Sequence, residues 1–353
     1  MTGPFGARPT ITFPAGAPPA ELRVAEPTAG RGAPLEEGGV AVVQYTVHLW
    51  DGRENRLVAS TFNRGTPEAL PLGGLHPGLD AALRGRRAGS RVTAAIPLPD
   101  GTSGTAEGER PPDPVAGPAA PGTRADAVHH ASTADAEDRR TPPLPGSRTT
   151  THPAAGDRQP PRSPTNGDDH AGGDGRTGQG VGGGFAGAGW RGGAGRVDLF
   201  YVVDVLGAHP GRAAVEAGAG VVAGVRVGGG AAPALVIPDG EPPGGLTAEV
   251  LARGAGRAAE AGRLLVVQYA GATWSDRRVF ASTWERGRPE AVTIGDGSLV
   301  TGWNRALMGV PAGSRVAMVV PPGDAYGDAG TGGSTRIAPG ETLVYVVDVL
   351  AVY

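Results

Sequence analysis

The fold of this chain is decided by the stretch VTGWNRAL at residues 300–307. Within it, Trp303, Ala306 and Leu307 have the i, i+3, i+4 spacing of one helical face, and a glycine and Pro311 follow as helix-ending residues. The stretch therefore predicts a short helix that begins near a tryptophan and turns that tryptophan toward a core.

Short runs rich in Val and Leu lie on both sides of this helix, at residues 264–269, 316–320 and 344–350. Each run is bounded by turn residues, which is typical of β-strands. About five strands around one short helix predict an antiparallel α+β domain. Residues 327–339 show no regular pattern, and we expect a long loop of the kind that closes over a site.

An altered copy of this unit lies earlier in the chain. The motif VVQY at residues 42–45 recurs at residues 266–269, and AGSRV at residues 88–92 recurs at residues 312–316, both shifted by 224 residues. Because several such motifs recur in the same order, the chain is a duplication.

The last strand breaks this spacing. YVVDVL at residues 201–206 matches residues 345–350 at a shift of only 144, so the first copy carries about 80 extra residues. This polar insertion, about 103–196, is rich in Gly and Pro and has no hydrophobic periodicity, so we predict that it is disordered. Its two ends must still meet, which costs little because loop closure depends weakly on length.

The repeat predicts three segments. We expect a degenerate first copy at residues 8–208, a linker at 209–232 and a complete second copy at 233–353. A further hypothesis gives the insertion itself the biological role, as a segment that binds a partner.

Composition excludes several classes of function. The 353-residue chain has 32 basic and 35 acidic residues, a net charge of -3, which offers no footprint for nucleic acid. It has no cysteine, so disulfides, thiolate metal sites and cysteine nucleophiles are excluded. No apolar run approaches the ~20 residues that span a bilayer. Four histidines of the insertion are irregularly spaced, and we expect no metal site from them: His129, His130, His152 and His170.

The ordered series VQY, Phe-x-Ser, Gly-Trp, AGSR, AYG and TLVYVVDVL resembles the FKBP-type peptidyl-prolyl cis-trans isomerases. The resemblance is best over residues 264–353 and weaker over residues 40–100 and 199–206. The whole chain is similar to the bacterial tandem-domain members of the family. It implies two half-open antiparallel sheets, each wrapping one short helix, and an isomerase activity carried by the second copy.

The resemblance also implies a site. Trp303 would form the floor of an apolar pocket, Phe280 one wall, and the hydroxyl of Tyr326 would donate to a substrate carbonyl. The other substrate-binding residues would be Tyr269, Leu299, Val300, Ile337 and Tyr345, with Val300 also lending its backbone N–H. A simpler interpretation of Trp303 as an ordinary core residue, and of the two strand tyrosines likewise, stays open.

The chemistry of such a site needs no acid, base, nucleophile or cofactor. Resonance gives the peptide bond a rotation barrier of ~18–20 kcal/mol. The planar amide is more polar than the twisted one, so a dry aromatic pocket destabilises the planar ground state relative to the transition state. Proline-containing protein chains are the expected substrates.

Two residues of the second copy depart from the family pattern. Ala281 follows Phe280 where the family usually has an aspartate, which accepts a hydrogen bond from macrolide immunosuppressants. Glu290 stands where the family tends to have an aromatic wall. We expect weakened macrolide binding and reduced turnover.

The first copy departs further. Val58 replaces Phe280, His76 replaces Val300, Leu79 replaces Trp303, and Thr102 falls where Tyr326 stands. We expect this copy to fold but to catalyse poorly, with a structural or chain-binding role. The alternative for the whole protein is therefore a catalytically weak chain-binding or chaperone module.

The sequence also gives expectations for the compartment and the oligomeric state of the protein. The first residues lack a basic segment followed by an apolar one, which predicts a cytoplasmic monomer as the sequence is written. Tandem members of the family are often exported lipoproteins, so export is the alternative if the true start lies upstream.

Overall fold

The protein folds as antiparallel β-sheets with a few short helices, as its sequence predicts. The computed structural model describes residues 1–98, 197–331 and 336–353. The predicted disordered insertion at 103–196 lies outside these ranges. The described residues form two six-stranded antiparallel sheets, one for each copy, and a smaller sheet of three strands.

The first sheet has the strand order β1-β5-β6-β2-β3, with β4 paired to β2. Its strands are β1 (Arg23–Thr28), β2 (Val40–Trp50), β3 (Asn55–Ser60), β4 (Glu68–Pro71), β5 (Arg91–Pro97) and β6 (Asp198–His209).

The two strands that flank the insertion are direct neighbours in this sheet. Pro97, the last residue of β5, pairs with Asp198, the first residue of β6. The strands that flank the insertion therefore meet as those of a hairpin would, and both are paired within the sheet.

The second sheet repeats this arrangement in the order β10-β14-β15-β11-β12, with β13 paired to β11. Its strands are β10 (Thr247–Ala252), β11 (Leu264–Thr273), β12 (Val279–Ser282), β13 (Glu290–Thr293), β14 (Ser314–Val320) and β15 (Leu343–Val352). The three predicted strands are thus present as β11, β14 and β15, each longer than its Val- and Leu-rich run.

Each sheet carries two short helices, one more than expected. They are α1 (Thr61–Arg64), α2 (Pro77–Leu83), α3 (Thr283–Arg286) and α4 (Thr301–Leu307). The stretch 300–307 therefore forms the predicted helix, and α1 and α3 are single turns that follow an edge strand. None of the helices in the described residues is long and apolar enough to cross a membrane.

The central strands of the second sheet are buried on both faces. Inward side chains such as Tyr345 and Val347 belong to the core beneath α4, whereas Val344 and Val346 belong to a second core on the outer face. Two buried faces explain why β15 is an unbroken apolar run apart from Asp348.

The segment 209–232, which we expected to be a linker, is partly folded. It contains β7 (Gly220–Val222) and β8 (Val225–Val227), which form the small sheet with β9 (Leu235–Val236). Ala223 and Gly224 both have positive φ, at 46° and 82°, as a two-residue hairpin turn requires. Val222, Val225 and Val227 of this sheet pack on the outer core of the second sheet, so this part of the expected linker is packed against the second copy.

A buried ion pair joins each sheet to the segment that precedes it. Arg315 on β14 donates to Asp348 on β15 through Nε and Nη2, at 2.6 and 2.8 Å, and both side chains are fully buried. Asp348 also accepts a hydrogen bond from the Val215 N–H, and Arg315 donates to the carbonyl oxygens of Val215 and Gly230. In the first sheet, the pair Arg91–Asp204 holds residues 3–7 in the same way.

The two sheets meet at equivalent residues. His209 ends β6 and Tyr353 follows β15, at the repeat's shift of 144. Their side chains are hydrogen-bonded, with 2.8 Å between His209 Nε2 and the Tyr353 hydroxyl. Gly207 has no side chain to block the phenol, since a Cβ there would lie 1.6 Å from the hydroxyl oxygen.

We expect Asp348→Ala to lower the free energy of unfolding by about 3–5 kcal/mol, because it leaves a buried guanidinium without its carboxylate. Urea unfolding followed by circular dichroism measures this loss. The control is Asp239→Ala, which removes an exposed partner of Arg277 and should cost about 1 kcal/mol or less. Equal effects of the two variants would contradict the role given to the buried pair.

Acid should weaken the contact between the sheets. Burial lowers the pKa of His209 to about 4, below its ordinary value of 6.5. The unfolded chain therefore takes up the proton first as pH falls from about 6.5 toward 4, and stability falls by about 1.4 kcal/mol per pH unit in that window. Thermal unfolding at several pH values should show a flatter profile for His209→Gln, and an unchanged profile would refute the assignment.

Candidate active site

Helix α4 lies unusually close to the sheet. Its glycine, Gly302, faces β14, where a Cβ would lie 2.4 Å from a methyl carbon of Val320. Only a residue without a side chain fits there, so the neighbouring Trp303 is pressed against the inner face of the sheet. Val300, which precedes the helix, accepts backbone hydrogen bonds from Trp303 and Asn304.

The indole of Trp303 is the centre of an aromatic cluster. Tyr269 and Tyr345 meet it edge to face, with ring centroids 5.1 and 5.4 Å away and interplanar angles of 89° and 90°. Phe280 extends the cluster by a similar contact with Tyr345, at 5.7 Å. Edge-to-face contact is the favoured geometry for aromatic pairs, so these rings hold one another in place.

A second glycine makes room for two of these rings. Gly271 pairs with Tyr345 across the sheet, and a Cβ there would lie 2.7 Å from both the Tyr345 ring and the Phe280 ring. The register between β11 and β12 shifts after Gly271, and both Phe280 and Ala281 contribute to the inner core. The absence of a side chain at residue 271 is therefore a condition for the aromatic cluster.

Tyr326 reaches the same core from the loop that follows β14. It lies between two single-turn 3₁₀ helices, Pro322–Asp324 and Gly327–Ala329, and only 7% of its surface is exposed. Arg305 on α4 holds the start of this loop by donating to both carboxylate oxygens of Asp324. Burial raises the pKa of Tyr326 to about 12, so its hydroxyl is neutral and can donate.

The structure brings all eight predicted site residues into one core cluster. Ile337 closes it from the far end of the loop, where its N–H donates to Thr331 Oγ1; residues 332–335 lie outside the described ranges. The cluster members are Tyr269, Phe280, Leu299, Val300, Trp303, Tyr326, Ile337 and Tyr345.

The cluster is closed rather than open. Trp303 has no exposed surface, and the most exposed aromatic members, Phe280 and Tyr326, show 9% and 7%. A ligand that touches the indole must therefore displace side chains at the edge of the cluster. Among the residues that the structure describes, no cluster of three or more His, Asp or Glu could hold a metal ion.

Glu290 binds two members of the site rather than leaving an unpaired polar edge. Its carboxylate accepts from the Tyr269 hydroxyl at 3.1 Å and from Arg286 at 2.7 Å. The guanidinium also lies 5.9 Å from the Tyr269 ring centroid. Ala281 provides no carboxylate on β12, and Glu290 on β13 is the acidic residue that binds the Tyr269 hydroxyl.

The first copy keeps this polar group but loses the aromatic one. The Tyr45 hydroxyl donates to Glu68 at 3.0 Å, and Arg64 donates to the same carboxylate at 2.5 Å. Leu79 fills the place of Trp303 and is 5% exposed, whereas His76 is exposed and caps α2 through Nδ1. Thr102 lies beyond the described part of this copy.

The sequence analysis did not single out two residues that contact the candidate site, Gly271 and Arg286. Gly271 corresponds to Val47, and Val58 corresponds to Phe280, so a glycine–phenylalanine pair in one copy replaces a valine–valine pair in the other. Arg286 belongs to the repeated motif Arg-Gly-x-Pro-Glu. The exchange of side-chain volume indicates the role of Gly271, and the recurrence of an arginine four residues before a glutamate indicates that of Arg286.

Gly271→Val should push Phe280 and Tyr345 out of their positions and cost about 1–3 kcal/mol of stability. Adding Phe280→Val, which reproduces the pair of the first copy, should recover part of that loss. A double-mutant cycle by urea unfolding then gives a favourable coupling of about 0.5–3 kcal/mol. Strictly additive effects would show that Gly271 does not serve these rings.

Comparison with known proteins agrees with this geometry. A profile of the family described as FKBP-type peptidyl-prolyl cis-trans isomerase matches residues 255–350. The chain is 39% identical over 120 residues to an FK506-binding protein of Streptomyces anulatus, covering 34% of this chain and 96% of that protein. It is 36% identical over 108 residues to FkpA of Escherichia coli K12, covering 31% of this chain and 38% of that one.

Solved structures include a similar protein. The crystal structure of FkpA from Escherichia coli is 32% identical, with a TM-score of 0.28, and the match covers 31% of this chain and 48% of that chain. The relative from Streptomyces anulatus is matched over nearly its whole length, which a shared motif alone would not produce. The chain therefore belongs to the FKBP-type peptidyl-prolyl cis-trans isomerase family.

Proposed function

We propose that the second copy, residues 233–353 with the packed segment before it, accelerates cis–trans exchange of X–Pro bonds in protein chains. The observation that carries this proposal is the aromatic cluster around Trp303, with Tyr326 in its rim. The family profile falls on this copy, at residues 255–350.

The mechanism uses burial rather than proton transfer. Residues 233–353 contain neither His nor Cys, and burial raises the pKa of Tyr269, Tyr326 and Tyr345. The cluster therefore stays uncharged around a bound proline. Such surroundings favour the less polar, twisted amide over the planar one, which lowers the barrier by differential binding.

Substrate binding begins at the edge of the cluster. Phe280 and Tyr326 are its most exposed aromatic members, so an incoming prolyl ring meets them before it reaches the fully buried indole. Displacing them costs free energy that substrate binding must supply, and this supports the expectation of reduced turnover.

The first copy, residues 8–208, serves in this proposal as a folded partner domain with little activity. Its inner core keeps Tyr45 and Tyr201 but has Leu79 in place of the tryptophan. Without an indole it offers a prolyl ring no aromatic floor, although its shape is retained.

A second function, chain binding without useful turnover, is favoured by one feature of the site. Ala281 is 6% exposed and contributes no carboxylate, so ligands that need an acceptor on β12 lose it. We infer from the same feature that macrolide inhibitors of the family bind this protein weakly.

The test is exchange spectroscopy by NMR on a proline tetrapeptide with the full chain. Trp303→Leu, which copies Leu79, should lower kcat/KM at least about tenfold, equivalent to about 1.4 kcal/mol of transition-state stabilisation. Tyr326→Phe removes one hydroxyl and should lower it about twofold to tenfold.

The control is Trp274→Leu, in the same copy on the opposite face of the sheet, where the indole N–H donates to the Gly240 carbonyl. This variant should keep its rate while folded. Equal rates for wild type and Trp303→Leu would reject the second copy as the site of catalysis. Peptide binding without exchange would favour the chain-binding function.

A further inference from the structure

The hydroxyl of Tyr345 lacks a hydrogen-bond partner in the described part of the chain, although the residue is completely buried. Its ring packs against Trp303 and Phe280 edge to face. A phenylalanine would make the same ring contacts, so packing alone does not explain the oxygen atom.

An unpaired buried hydroxyl destabilises the free protein, because it loses its hydrogen bond to water and gains none in return. Such groups are rare in native proteins and call for a specific explanation. Retaining a group that lowers stability is typical of functional sites, where a ligand supplies the missing partner.

The surroundings of the hydroxyl indicate the kind of partner. Tyr345, Tyr269 and Tyr326 belong to one core cluster. Burial raises the pKa of Tyr345 well above its ordinary value, and Tyr326 and Tyr269 raise it further, so the hydroxyl stays protonated and can donate. Tyr269 already donates to Glu290, whereas the Tyr345 hydroxyl has no partner among the residues that the structure describes.

We propose that the Tyr345 hydroxyl donates a hydrogen bond to a backbone carbonyl oxygen that flanks the rotating X–Pro bond. A carbonyl oxygen has two lone pairs, so it can accept this hydrogen bond in addition to one from another donor. This inference rests on the proposed function of the second copy and makes Tyr345 a specificity-determining residue, since it selects for a well-placed acceptor beside the proline.

The expected kinetic effect follows from which carbonyl is bound. A flanking carbonyl does not change its polarity as the X–Pro bond rotates, so its hydrogen bond stabilises ground state and transition state alike. Loss of the bond therefore raises KM and the peptide Kd while leaving kcat nearly unchanged.

The test compares Tyr345→Phe with wild type in the full chain, using the same proline tetrapeptide. We expect the peptide Kd from titration calorimetry, and KM from NMR exchange, to rise about threefold to tenfold. Thermal unfolding should show a Tm equal to or above that of wild type, because the unpaired hydroxyl is gone. The matched control is Tyr201→Phe, the equivalent position of the first copy, which should leave peptide binding unchanged.

Two results would overturn the inference. An unchanged peptide Kd would show that the hydroxyl does not meet the substrate. A clearly lower Tm would show that it is hydrogen-bonded in the free protein and has a structural role. If wild type binds the peptide but does not accelerate exchange, the proposed function fails, and the Kd comparison still decides whether Tyr345 contacts the chain.

Discussion

The site depends on a steric constraint: two positions next to its aromatic rings tolerate no side chain. Gly302 lets α4 approach Val320 on β14, and Gly271 leaves the space that Phe280 and Tyr345 occupy. Because both positions are glycines, Tyr269 and Tyr345 meet the Trp303 indole edge to face, and Phe280 meets Tyr345 in the same way. Cores are packed densely, so a methyl group at residue 271 would displace a ring and one at residue 302 would collide with Val320.

The duplication separates what the fold needs from what the site needs. Both sheets have the same strand order, the same buried Arg–Asp pair and the same tyrosine–carboxylate–arginine group. They differ in the ring-bearing residues, where Leu79 and Val58 stand for Trp303 and Phe280. The same sheet thus forms around either core, and the cluster around Trp303 belongs to the second copy.

Much of the fold could be predicted from the order of residues, whereas several contacts of the candidate site could not. The helix at 300–307, the main strands and the family were predictable because apolar spacing and motif order are local properties. The segment 209–232 was expected to be a linker, and its Gly- and Ala-rich composition gives no sign of the three valines that are buried against another sheet. Glu290 was expected to make one edge of the pocket polar, and its partners there, Tyr269 and Arg286, were not predicted from the sequence.

The sequence by itself determined the duplication, the antiparallel α+β class and the FKBP family, and it predicted eight candidate site residues that the structure places in one core cluster. Each of these properties follows from which residues occur and in what order. Only the tertiary structure decided that the indole is fully enclosed, that Gly271 serves two rings, and that the Tyr345 hydroxyl finds no partner among the described residues. Those properties depend on distances between atoms far apart in the chain, because enclosure and hydrogen bonding are set by what packs around a group and not by its neighbours in sequence.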